Sequence, residues 1–173
     1  VVGGTLLVTD SAVSALLGKT LNGVNNLGRW AGRRLVGSRK RSILRYNAYF
    51  PTYANESKPG SAWQTQLRLM KLRPSKDQAA DPWHQALADL TMQIFNDMTS
   101  QSVDTVRFTR IICSGDLNAN WVIGDGSETA WSRMRTASLR RFAMQFGLLE
   151  VFATIHPTIT PSTYIASAAP GAR

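Results

Sequence analysis

Apolar and polar positions along the chain alternate in two different rhythms, and the rhythm assigns the elements. Residues 1–9 (VVGGTLLVT) form a continuous apolar run closed by Asp10-Ser11, which predicts a buried strand. Residues 11–38 carry Gly18, Gly23, Gly28, Gly32 and Gly37 about every five residues. That interruption predicts an irregular excursion with short helical turns. Residues 41–50 (RSILRYNAYF) are rich in strand formers and stop at Pro51, and residues 52–61 read as a loop. A short helix is expected over 63–72, stopped by Pro74.

Asp81-Pro82 is a helix start, with Asp as N-cap and Pro in the first turn. From there Trp83, Leu87, Leu90, Ile94 and Met98 recur at helical spacing, leaving Asp89, Gln93 and Asp97 on the solvated side. Residues 107–113 (RFTRIIC) predict a strand running into Ser114-Gly115-Asp116. A second long helix is expected over 129–146, with Gly147 as its left-handed cap and Arg133, Arg135, Arg140 and Arg141 solvated. Short strands are expected over 148–155 and 162–166. Alternating strands and helices make this an α/β or layered α+β domain, in one unit of 1–173.

Composition narrows the partners. Lys plus Arg number 20 and Asp plus Glu 11 in 173 residues, a net charge of +9. Such an excess suits a polyanion, nucleic acid first and an anionic lipid surface second. Cys113 is the single thiol, so no intrachain disulfide and no cysteine zinc site can form. No apolar run is long enough to span a bilayer. The chain opens on Val1-Val2-Gly3-Gly4 rather than Met, the expectation being that it begins inside something longer.

The chemistry concentrates in Ser114-Gly115-Asp116-Leu117-Asn118-Ala119-Asn120. If the backbone stays extended, Asp116 and Asn118 point to one face. A carboxylate that takes a proton from water would then sit beside an amide able to donate to an oxyanion. The same Asp-x-Asn after a strand is also an Asx-turn or N-cap device, and on GDLN alone that reading is the weightier. Nine residues, Arg33 to Arg41, carry five cations, Arg33, Arg34, Arg39, Lys40 and Arg41. They suit a phosphate backbone, a nuclear-localisation patch or a solvated hairpin alike.

Three further segments join GDLN in order: Tyr49-Phe50-Pro51, then Gly147-Leu148-Leu149-Glu150-Val151-Phe152, then His156-Pro157 with Thr163-Tyr164. With them the chain resembles the endonuclease/exonuclease/phosphatase (DNase I-like) superfamily, nearest to endonuclease domains of LINE-type retrotransposons and their apurinic-endonuclease relatives. The resemblance implies a two-sheet sandwich flanked by helices and incomplete at both ends. It implies Mg²⁺- or Mn²⁺-dependent hydrolysis of DNA phosphodiesters, a reverse transcriptase elsewhere in a longer polyprotein, and a nuclear setting. Asp116 would prepare the water and, with Asn118, approach the metal. Asn118 would also bind the scissile phosphate, Tyr49 would place its hydroxyl near it, and Thr163 and Tyr164 would line the rim of the DNA face. Without the resemblance, Tyr49 reads equally as strand-end packing, and Thr163-Tyr164 as plain strand propensity.

The departures matter as much. The family's metal-binding Asn and Glu precede the Gly-Gly strand, and its Asp-His or Asp-Tyr pair follows the Thr-Tyr segment, so this chain would lack both. Ala153 stands where the family has Arg, and Glu150 where it has Asp. His156-Pro157 reads as structural, and His84 receives no role. The same-fold alternatives are a phosphomonoesterase or a lipid phosphodiesterase; a catalytically dead nucleic-acid-binding remnant is the alternative of another class.

Overall fold

A computed structural model describes residues 28–37, 41–54, 56–72, 81–99, 108–119, 129–150 and 154–155. Its elements run β1 (Trp30–Val36), β2 (Arg41–Tyr49), α1 (Ala62–Leu72), α2 (Pro82–Thr99), β3 (Phe108–Asp116) and α3 (Ala130–Phe146). The strands form one mixed sheet in the order β1-β2-β3, with β1 antiparallel and β3 parallel to β2. A mixed α/β architecture follows from these elements.

The alternation in β2 explains the layering. Ser42, Leu44, Tyr46, Ala48 and Phe50 are buried, while Ile43, Arg45, Asn47 and Tyr49 between them are only half-buried. Leu44, Tyr46, Ala48 and Phe50 of that set pack with Trp83, Leu87, Leu90 and Ile94 of α2 and with Leu139 and Phe142 of α3. Each such side chain contributes about 1.5–3 kcal/mol on leaving water. Phe50 meets Trp83 edge-on with ring centroids 5.5 Å apart. The helices therefore cover one face of the sheet, and the other face stays half-exposed.

Most elements fall where the sequence rhythm places them. Asp81 caps α2 as expected, its Oδ1 accepting from the backbone N–H groups of Trp83 and His84 at 2.9 Å. Thr129 caps α3, and Gly147 ends it at φ 63°.

Four expectations need correction. Within 11–38, the described part, residues 28–37, is strand-bearing rather than irregular. Gly28 turns the chain at φ 66°, and Gly32 lies opposite Tyr46 in the β1–β2 register, so these glycines serve a hairpin. The expected strand over 148–155 is not formed by its described residues: Thr154 donates its N–H to Glu150 O at 3.0 Å, a helical turn, and Thr154–Ile155 are helical. On α2, Met98 is 42% exposed and Asp97 is buried. The apolar stripe continues three residues after Ile94 rather than four, and Tyr46 Oη donates to Asp97 Oδ2 at 2.5 Å to satisfy the buried carboxylate. On α3, Arg135 is buried, contrary to its expected solvation, whereas Arg133 and Arg141 are exposed. The expected strands over 1–9 and 162–166, and His156-Pro157, lie outside the described residues.

Candidate active site

Tyr49 and Asp116 are register partners at the C-terminal ends of the parallel strands β2 and β3. Paired residues of a parallel ladder stand side by side on one face, about 4.8 Å apart. Here that is the half-exposed face away from the helices. Loops beyond the carboxyl ends of parallel strands are where α/β sheets place ligands.

Gly115 makes the approach possible. Its φ is +122°, and a Cβ there would stand 1.9 Å from the Ala48 carbonyl oxygen. Only glycine permits both the dihedral and the contact. Phe50 then donates its N–H to Asp116 O at 2.9 Å, so the pairing runs through the carboxylate-bearing residue.

The chain turns sharply after Asp116. Asn118 has φ 48°, so the extended backbone that would align its side chain with Asp116 is not present. Instead Asp116 Oδ1 accepts from the Asn118 backbone N–H at 3.0 Å, an Asx-turn. The Asn118 side chain donates Nδ2–H to Phe50 O at 2.7 Å, tying the loop after β3 to the end of β2. The expectation of an amide and a carboxylate facing one shared volume is thus corrected by the left-handed conformation of Asn118 itself, which turns its amide to Phe50 O. Asp116 itself is exposed.

A buried guanidinium holds both loops from behind. Arg135 of α3 donates from Nη1 to Asn118 O at 3.2 Å and from Nη2 toward Pro51 O at 3.5 Å. Its Cζ lies 3.2 Å from the Trp131 ring centroid, 5.2 Å from that of Trp83 and 5.6 Å from that of Trp63. Burial pulls its pKa down to about 10, partly opposed by the Asp81 carboxylate. Trp83 adds a bond from Nε1 to Leu117 O at 2.6 Å. Sequence reasoning missed Arg135, yet the signal is present: Trp131, Arg135 and Leu139 are four apart, so the arginine occupies an apolar-stripe position.

On the same open face as Asp116, the register aligns Arg33 with Arg45 and Arg45 with Ile112 across the three strands. Arg110 sits beside Ile43, and Arg41 starts β2. Arg34 departs from this set: its Nη2 donates to Asp97 O at 2.8 Å on the helix side. Arg39, Lys40, Thr163 and Tyr164 lie outside the described residues.

Among the described residues no group of three or more His, Cys, Asp and Glu side chains is placed to hold a metal ion. A Mg²⁺ or Mn²⁺ shell needs several oxygen ligands in near-octahedral array, and Asp116, with Oδ1 already accepting from Asn118, does not supply one. The described residues therefore do not fit that metal by themselves. Among them, too, no helix is long and apolar enough to cross a membrane. Comparison of the chain with protein-family models, with curated proteins and with solved structures finds no match in any of the three.

Proposed function

We propose that this chain is part of a DNase I-like domain that hydrolyses phosphodiester bonds in DNA. The observation that carries the reading is the in-register pair Tyr49–Asp116 at the ends of two parallel strands, seated by Gly115. Asp116 is an exposed carboxylate that can orient and deprotonate a water. The Tyr49 hydroxyl, on the same face, can donate to a phosphate oxygen. In this reading Asn118 keeps the loop in place through its bond to Phe50, rather than gripping the phosphate.

A second reading, nucleic-acid binding without cutting, draws on the four arginines of the open face. A supercoiled-plasmid nicking assay in Mg²⁺, with and without EDTA, separates the two. Asp116→Ala is expected to lower the nicking rate about 100-fold or more while leaving DNA retention on a filter unchanged. Equal nicking by the two proteins removes Asp116 from the mechanism; retention with no nicking by either supports the binding reading. Turnover of an inositol phosphate or a sphingomyelin in place of DNA would move the substrate within the same fold.

A further inference from the structure

The helix layer holds a second polar array, on the side of the sheet away from Asp116. His84, in the first turn of α2, presents Nδ1 to Asp81 Oδ2 at 3.0 Å and Nε2 to Ser138 Oγ of α3 at 3.3 Å. Asp81 is fixed from three other directions, by the N–H groups of Trp83 and His84 on Oδ1 and by Trp131 Nε1 on Oδ2 at 3.0 Å. Burial alone would raise its pKa, but the hydrogen bonds and charge of His84, with Trp131, outweigh it and leave the carboxyl below its ordinary value. An ionised carboxylate has no hydrogen to give, so in the neutral form of the ring the proton on Nδ1 is the one that meets Asp81. That leaves the Nε2 lone pair facing the serine hydroxyl.

Ser138 and His84 open into a groove of about 560 Å³ between α2 and α3. Its walls include Leu87, Met92, Phe95 and Phe142, with Arg141 one helical turn beyond Ser138. The groove is shallow and open to solvent, with an apolar wall and a few convergent polar groups. Met92 and Phe95 are 61% and 53% exposed on the outer flank of α2, an apolar surface that no other described residue covers.

We propose that Ser138, His84 and Asp81 act as nucleophile, base and orienter toward carboxylic esters whose apolar acyl chain lies in this groove. Ser138 Oγ bonds to the ester carbonyl carbon and its proton passes to His84 Nε2. The Arg141 guanidinium offers positive charge to the carbonyl oxygen as it becomes anionic. The bond from carbon to the alcohol oxygen then breaks, and the alcohol leaves with the proton from His84. Water, deprotonated by the same nitrogen, releases the acid and restores the serine. Unliganded sites often hold such hydrogen bonds long, as the 3.3 Å contact does.

The test is independent of DNA. The folded full chain, checked by circular dichroism, is treated with an alkyl fluorophosphonate and assayed with p-nitrophenyl butyrate. A single adduct on Ser138 is expected by peptide mass mapping, with hydrolysis lost in Ser138→Ala and both labelling and turnover falling about 100-fold in His84→Gln. Ala88→Trp, at the groove wall and outside the array, is expected to suppress both as well. Absence of an adduct on Ser138 in the wild-type chain overturns the proposal. So does labelling at the wild-type rate in folded His84→Gln or, where that variant does not fold, in Ala88→Trp.

Discussion

At the scale of single residues, Gly115 decides whether the loop bearing Asp116 can form. A methyl group there would collide with backbone, which cannot swing aside as a flexible side chain can, and the φ of +122° adds its own penalty. Gly115→Ala is therefore expected to cost about 3 kcal/mol or more, read as a shift of the urea midpoint at unchanged slope. The glycine, the acid and the asparagine were all legible as a motif, and so was the Asx-turn that the structure forms. The left-handed Asn118 was not, because it depends on a carbonyl 68 positions earlier in the chain, that of Phe50. Asp97 teaches the same lesson. Nothing local marks it as buried; its burial goes with the Tyr46 hydroxyl arriving from β2, 51 positions earlier in the chain.

Among the elements, α3 does more than pad the sheet. Its Arg135 clamps the loops after β2 and β3 while three tryptophans cover the guanidinium. Arg135→Ala removes that packing and leaves two carbonyls without their donor, an expected loss of about 3 kcal/mol in chemical denaturation. Arg135→Lys is expected to recover only part of it, since an ammonium lacks the planar fork that reaches both loops and stacks on Trp131. The start of α2 carries a pH signature. The folded Asp81 pKa lies below the ordinary 3.8, so its contribution to stability is complete above that value and disappears as pH falls through the lower, folded one. Asp81→Asn keeps a capping oxygen but loses the charge, and is expected to flatten the acid limb of a urea-midpoint profile between pH 5 and 2. Element boundaries were the legible part of this level: caps, prolines and Gly147 are local chemistry. Which arginine of α3 faces inward was set by the tryptophans it meets, two of them on other helices.

For the molecule as a whole, if the chain binds DNA as proposed, the net charge of +9 and the arginine-bearing sheet face would make that binding sensitive to electrolyte. Each phosphate neutralised releases condensed counterions. If about four phosphates are contacted, raising salt from 50 to 200 mM is expected to weaken filter-measured affinity roughly 100-fold, independent of sequence. Charge was legible from composition. Its gathering on one face required the strand register, which composition does not contain.

The parallel pairing of β2 with β3 has a consequence in time. Residues 50–107 stand between the two strands, so Tyr49 waits for its neighbour until that whole stretch has left the ribosome. At roughly 5–20 residues per second the delay is several seconds. During it, the hairpin of β1 and β2 keeps a bare edge, and a nascent chain stalled there would carry tyrosine without its acid. Any activity that needs Asp116 beside Tyr49 can begin only once β3 has paired with β2, never in a half-made molecule.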